Sequence, residues 1–133
     1  MKSVELFAGV GGLALGVSRA GFVHKAVIEY DRGACDTIRE NIRRQIAYVK
    51  DWPLFDVDVR QFNYAEVRDD IDLLSAGVPC QPFSFAGRHR GQFDERNMFP
   101  ATVEAIARLR PKAVLIENVK GLCGPHFGRT LIT

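Results

Sequence analysis

Ser3-Val4-Glu5-Leu6-Phe7-Ala8-Gly9-Val10-Gly11-Gly12-Leu13-Ala14-Leu15-Gly16-Val17-Ser18-Arg19-Ala20 is the stretch on which the fold turns. Ser3 to Phe7 reads as a short strand, Ala8 to Gly12 as a glycine turn, and Leu13 to Ala20 as a helix with Gly21 as its C-cap. A strand, a glycine turn and a helix form the first unit of a nucleotide-binding α/β fold. Glycines there let the backbone turn sharply and approach a ligand closely, although a plain tight turn uses them equally well. The pattern is not the dinucleotide fingerprint. Ala14 occupies its third glycine position, which that fingerprint allows, but Gly12 directly after Gly11 is a different arrangement.

Downstream, strands and helices continue to alternate. His24 to Ile28 reads as a second strand that ends in Glu29. An acid about 20 positions beyond the first glycine is where a ribose hydroxyl pair is held in such folds. The plainer reading, an acid at a helix N-terminus, is already filled by Asp31. Asp31 to Ala47 predicts an amphipathic helix with Ala34, Ile38, Ile42 and Ile46 on one face and Cys35 beside it. Residues 48–55 are irregular around Pro53, and Phe55 to Val59 predicts a short third strand or strand end. Asp58, near its end, suits either an adenine amino group or a solvated turn. Tyr64 to Val67 reads as a single helical turn.

The apolar run Ile71 to Ala76 leads into Gly77-Val78-Pro79-Cys80-Gln81-Pro82-Phe83-Ser84. Pro79 and Pro82 cannot donate to a sheet ladder, so a strand must stop there and deliver Cys80 on a stiff turn. Ligands of open α/β sheets sit just beyond such strand ends. A small buried cysteine in a turn is the alternative. Residues 84–97 form a long polar loop in which Gly87 and Gly91 bracket Arg88-His89-Arg90. Basic residues beside a candidate nucleophile suggest phosphate contact, a solvated charge cluster being the other reading. Met98 to Leu109 predicts a helix with Val103, Ile106 and Leu109 on one stripe, ended by Pro111. Ala113 to Ile116 reads as a central, buried parallel strand. Glu117-Asn118-Val119 follows, and an acid closing a buried strand has a desolvation problem unless it is paired or acts. Gly121 to Gly128 is a glycine-rich turn, and Arg129 to Thr133 opens a further helix.

Composition narrows the class without naming it. A chain of 133 residues, 47% hydrophobic and 26% charged, is one domain of common size and ordinary soluble character. A net charge of +2 is too small to argue for nucleic acid alone. Cys35, Cys80 and Cys123 lie far apart without ligand spacing, so no metal site is expected. Their odd number and the lack of a signal peptide favour a reducing, cytoplasmic setting. No apolar run reaches membrane-spanning length.

Phe7-Ala8-Gly9-Val10-Gly11-Gly12, the Pro79-Cys80-Gln81-Pro82 turn and Glu117-Asn118-Val119, in this order and each at a strand end, resemble the leading motifs of the cytosine-5 DNA methyltransferases. The resemblance runs over essentially the whole chain. It implies a Rossmann-like S-adenosylmethionine-dependent methyltransferase fold, a mostly parallel sheet with flanking helices, incomplete at its C-terminal side. It also implies methyl transfer from S-adenosylmethionine to carbon 5 of cytosine in double-stranded DNA. By similarity, Phe7, Gly9, Gly11 and Gly12 bed the methionine half of the cofactor and Glu29 binds the ribose. Tyr30 lies against the adenine, where the family often has Trp. Asp58 and Val59 meet the adenine, and Pro79 and Met98 line the same pocket. Cys80 is the nucleophile and Glu117 the acid at the base, a role that a raised pKa at a buried strand end suits. Gln81, Ser84, Arg88, Arg90, Asn118 and Val119 fall on the substrate side, and loop 84–97 resembles the family's mobile loop.

The family pattern goes on to a QxRxR strand, a target-recognition region and a final helix, none of which follows in this sequence. Residues 1–133 are therefore expected to be the N-terminal part of a catalytic domain. It is expected to be either one part of a split enzyme, completed by a second polypeptide, or a truncated product. Alone it is expected to lack sequence-specific methylation, and its exposed apolar edges are expected to favour self-association. RNA cytosine-5 methylation and a non-catalytic cofactor- or partner-binding fragment stay open as alternatives. So do the target sequence and a restriction-linked or regulatory role. A nicotinamide-dependent oxidoreductase leaves Pro-Cys-Gln and Glu-Asn-Val unexplained.

Overall fold

Val4 and Leu6 are fully buried on β1 (Lys2–Leu6), a strand that pairs on both sides and so forms the middle of the sheet. The computed structural model describes residues 1–67, 69–79 and 98–118. In chain order β1 is followed by α1 (Gly12–Arg19), β2 (Val23–Glu29), α2 (Arg32–Arg43), β3 (Leu54–Asp56) and a 3₁₀ turn (Tyr64–Glu66). Then come β4 (Leu73–Gly77), α3 (Phe99–Leu109) and β5 (Ala113–Glu117). The sheet order is β3-β2-β1-β4-β5, and every pairing is parallel. The chain thus steps outward from β1 to β3 and then crosses back to β4. The reversal leaves a switch point beside β1, where ligands of open α/β sheets bind beyond the carboxyl ends of the strands.

Two apolar clusters cover the sheet. Val4, Leu6, Ala26, Ile28, Leu74 and Ala76 share one with Phe62, Tyr64, Ile71 and Ala105 of α3. Ala14 of α1, Val27, Ile38 of α2, Val49 and Trp52 form the other. Each fully buried large aliphatic here, such as Ile38, contributes about 2 kcal/mol. A bulge decides which face β2 presents. Ser3 pairs with His24 but Val4 pairs with Ala26, so Lys25 is the extra residue. The slip brings His24 to the α1 side, where its ring bonds Ser3 Oγ and the Ala14 carbonyl and meets Trp52 edge-on. Burial holds the His24 pKa below its usual value. Lys25 pairs with Asp69, which Lys2 shares.

Several elements depart from the sequence expectation. Helix α2 begins as predicted, with the Asp31 carboxylate accepting from Ala34 N at 2.8 Å, but it ends at Arg43 rather than Ala47. Gln45 and Tyr48 take positive φ, and the turns between them carry Val49 and Trp52 into the core. Ile46 is consequently exposed and leaves the predicted stripe. On α3 the buried positions are Thr102 and Ala105, with Ile106 and Leu109 half-buried, whereas Val103 is exposed. The third strand is Leu54–Asp56, slightly earlier than predicted. Helix α1 caps on Ala20, and Gly21 follows it at φ 91°. The largest correction concerns β5. It was expected as a central buried strand, yet Val114, Leu115 and Ile116 are 42%, 44% and 39% exposed. Among the described residues β5 has a neighbour, β4, on one side only. Residues 80–97 and 119–133, with the glycine-rich turn and last helix expected there, lie outside the described residues.

The middle strand also buries a charge-bearing group. Glu5 is fully buried opposite Ser75 of β4, whose hydroxyl donates to Glu5 Oε2. Oε1 has no partner among the described residues. Burial, only partly offset by the Ser75 bond, pushes the Glu5 pKa up from 4.5 to about 7. The folded state then holds the proton more tightly than the unfolded state. Stability should therefore fall as pH rises from about 4.5 to about 7, by up to about 3 kcal/mol, and level off above that. Urea unfolding midpoints across this window should show the decline, and Glu5→Gln should flatten it. An unchanged slope in Glu5→Gln would assign the pH dependence to other groups.

Candidate active site

The site is assembled where β1, β2 and the segment after β3 end together. Ala8 N donates to the Ile28 carbonyl at 3.1 Å, and Val57 N to the Glu29 carbonyl at 2.9 Å, so three successive chain exits are bonded side by side. Glu29 then bridges two of them. Its Oε2 accepts from Gly9 N at 2.7 Å, and its Oε1 accepts from Tyr30 N at 2.8 Å and Asp31 N at 2.7 Å. The side chain is buried, and three charge-assisted bonds make that tolerable. A carboxylate offers about four lone-pair positions, so these bonds leave acceptor capacity on Oε2.

The glycine turn is held from beneath. Gly11 has φ 93°, and a Cβ added there would lie 2.7 Å from Cζ3 of Trp52. Trp52 is itself fixed by Nε1 donating to Ser18 Oγ at 3.0 Å.

A cavity of about 330 Å³ opens over these strand ends. That is the size of a small-molecule site, whose usual range begins at about 300 Å³. Phe7, Glu29, Tyr30, Asp58, Val59, Pro79 and Met98, all named from the sequence, line it together. Gly9, Gly11 and Gly12 do not line it; they shape the turn that bounds it. Ile28, Val57 and Arg60 also line it and were not anticipated. Ile28 and Val57 directly precede named residues and could have been found by adjacency. Arg60 directly follows the named Val59 and could have been found the same way, but its bond to Asp58 could not. That bond holds the Asp58 carboxyl below its ordinary pKa.

The ends of β4 and β5 are described in part. Gly77 pairs with Glu117 across β4 and β5. A Cβ on Gly77 would meet the Phe7 carbonyl oxygen at 3.3 Å and Glu117 Oε2 at 3.9 Å, so little room exists there. Glu117 thus stands beside the strand that leads through Pro79 to position 80. It is exposed, against the expectation of a buried acid, because β5 is covered so little among the described residues. Asn118 Nδ2 donates to the Val78 carbonyl at 3.5 Å. Cys80, Gln81, Ser84, Arg88, Arg90 and Val119 lie outside the described residues. Among the described residues no group of His, Cys, Asp and Glu could hold a metal, and no helix is long and apolar enough to cross a membrane.

A parallel sheet of this order, with a glycine turn after β1 and an acid ending β2, defines a Rossmann-like α/β fold, and its solved neighbours make it the methyltransferase version of that fold. A prophage-encoded E. coli protein assigned as a DNA modification methyltransferase shares it, with a TM-score of 0.75 and 29% identity over 97% of this chain and 35% of that one. The family model described as C-5 cytosine-specific DNA methylase matches residues 1–133, and the chain belongs to that family. Type II methyltransferase M.NgoMIV of Neisseria gonorrhoeae is 47% identical over 94% of this chain and 38% of its own length. M.PspPI of a Psychrobacter species is 42% identical over 96% of this chain and 29% of its own length. The chain therefore spans about a third of the length of these curated relatives.

The family implies S-adenosylmethionine as methyl donor, and the cavity's donor set fits it. Carboxylates stand at two places: Glu29 keeps acceptor capacity for a hydroxyl, and Asp58, bonded by Arg60, stands in the wall beside it. Apolar walls from Phe7, Ile28, Val57, Val59 and Met98 suit a flat ring. Because the Glu29 oxygens accept three backbone N–H bonds, a carboxamide must turn its own N–H toward at least one of those donors. Glu29→Gln should destabilise the fold by about 2 kcal/mol, read as a lowered urea midpoint. An unchanged midpoint would show that the two turns hold without this charge.

Proposed function

We propose that the chain is the N-terminal part of a cytosine-5 DNA methyltransferase catalytic domain, acting on double-stranded DNA in the cytoplasm. In this reading further family segments, on a second polypeptide or on a longer form of the chain, complete it. The observation that carries the reading is the convergence of seven sequence-named residues, Phe7, Glu29, Tyr30, Asp58, Val59, Pro79 and Met98, on one cavity. That cavity lies at the strand ends from which Pro79 leads to Cys80 and Glu117 emerges.

The residue types suit the chemistry. Carbon 5 of cytosine is a poor nucleophile. The thiolate of Cys80 adds to carbon 6, and Glu117 gives a proton to ring nitrogen 3, leaving an enamine whose carbon 5 is nucleophilic. Bound S-adenosylmethionine supplies an electrophilic methyl group on a sulfonium. Carbon 5 takes that methyl group and loses its proton to a base as Cys80 leaves as thiolate, and nitrogen 3 returns its proton to Glu117, which restores the neutral aromatic ring. Glu117 must carry a proton when it acts, so a covering element that buries it favours the step. The target base has to leave the duplex to reach such a site. In this reading Glu29 holds the ribose, Tyr30, Asp58 and Val59 the adenine, and Phe7 with the glycine turn the methionine half. Gln81, Ser84, Arg88, Arg90, Asn118 and Val119 face the DNA.

Duplex DNA carrying 5-fluorocytosine tests this, because fluorine at carbon 5 blocks the final elimination and leaves the enzyme attached. With S-adenosylmethionine present, a covalent adduct should form when the chain is combined with the missing family segments, and Cys80→Ser should abolish it. The chain alone should give none. Absence of an adduct on DNA with the combined segments would overturn the reading, and an adduct on RNA only would move the substrate class.

A further inference from the structure

We infer that Trp52 is a positioning residue for the methionine half of the cofactor, acting through the glycine turn from outside the cavity. The inference rests on the reading above, that the cavity takes S-adenosylmethionine and the glycine turn its methionine half. Trp52 is not among the described residues that line the cavity. The turn nevertheless has two fasteners, and Trp52 is one of them. At the start of the turn, the Glu29 carboxylate holds Gly9 N at 2.7 Å. At its end, Gly11 takes φ 93° and caps α1. Gly11 N donates to the Ala8 carbonyl at 2.9 Å, a bond within the turn that does not fix its height above the sheet. The indole does. A Cβ at Gly11 would meet Cζ3 of Trp52 at 2.7 Å and Cη2 at 3.0 Å, with Ile38 Cγ1 next at 3.9 Å. A Cβ at Gly9 or Gly12 would meet nothing within 4 Å among the described residues. Of the turn glycines, only Gly11 rests on a side chain.

The ring beneath Gly11 is itself immobile. It is buried, its Nε1 donates to Ser18 Oγ at 3.0 Å, and the His24 ring meets it edge-on with centroids 5.4 Å apart. Leu54 N donates to the Trp52 carbonyl at 3.1 Å and Val27 N to the Pro53 carbonyl at 2.9 Å, so its backbone is tied to the sheet. Interiors are close-packed, and a smaller side chain at position 52 leaves a void into which the turn can relax. A looser turn has to be ordered when a ligand binds, which weakens the half of the ligand that it holds. The wall after β3 is held by other means, through the pairing of Val27 with Leu54 and Ile28 with Phe55 and through Val57 N on the Glu29 carbonyl. The adenosine half is therefore spared.

Amide NMR titrations of the 133-residue chain with S-adenosylhomocysteine, and with methylthioadenosine, which lacks the amino-acid end, give the ratio of the two affinities. Trp52→Leu should bind S-adenosylhomocysteine about fivefold more weakly and methylthioadenosine about as tightly as the unsubstituted chain does. Ser18→Ala keeps the indole but frees its Nε1, and should shift the ratio in the same direction by about twofold. Val49→Ala opens the same apolar cluster at a position that is not beneath Gly11. It should lower the urea midpoint and leave the ratio unchanged. An unchanged ratio in Trp52→Leu, or in Ser18→Ala where Trp52→Leu does not fold, overturns the inference. So does an equal shift of the ratio in Val49→Ala, which would assign the effect to general loosening of the core. The same spectra locate the ligand. If S-adenosylhomocysteine shifts none of the Tyr30, Val57 and Val59 amides of the unsubstituted chain, the cofactor reading falls, and this inference with it. If those amides shift and the ratio stays constant across the variants, the role of Trp52 alone falls.

Discussion

The carboxylate of Glu29 is the constraint on which the site depends. One buried anion gathers N–H groups from Gly9, Tyr30 and Asp31, and so fastens the turn after β1 to the turn after β2. Burying a charge is unfavourable unless its oxygens are satisfied, and here backbone donors from both turns do that. Asp31 is thereby left to cap α2, while the Cys35 thiol donates to the Glu29 carbonyl at 3.5 Å. Burial pushes that thiol up to about 11, so Cys35 serves as packing rather than as a nucleophile. The acid that faces the cavity is positioned before any ligand arrives.

Around this tie, sheet order does the rest. Because β4 returns to the far side of β1, its exit lies beside the cavity that β1, β2 and the segment after β3 define. Gly77 keeps Phe7, which lines the cavity, and Glu117, which closes β5, close to each other. A group-transfer site needs such adjacency, since two reactants held in register react as one molecule.

The sequence made the element order legible, since strand-sized apolar runs alternate with helical periodicity and Gly or Pro marks the breaks. That seven named residues would line one cavity was legible too, because they sit at or near strand ends and the sheet gathers strand ends on one edge. What stayed hidden depends on contacts between distant parts. Ile46 matched the α2 period, but Val49 and Trp52 gain more burial by turning inward, and the helix stops. Val103 matched a stripe on α3 that Thr102 and Ala105 occupy instead; Thr102 is acceptable there because its hydroxyl donates to the Met98 carbonyl. The run 113–116 reads as interior by composition alone, yet burial is set by neighbours, and β5 has few among the described residues. The bond of Arg60 to Asp58 was invisible because a charge two residues from an acid says nothing of where either points. The bulge at Lys25 left no mark in the hydropathy pattern.

The contact between Trp52 and Gly11 gives the glycine motif a history that its own letters do not record. The indole fills the space that a side chain at position 11 would need, so the two positions cannot drift independently. A lineage that shrinks the tryptophan relaxes one of the two bars to a side chain in the turn, leaving only the backbone angle. A lineage that keeps it is bound to glycine twice over. Covariation between the turn and the irregular segment before β3 is the signature this packing would leave, and the motif is best regarded as a two-part module whose second half is an aromatic ring.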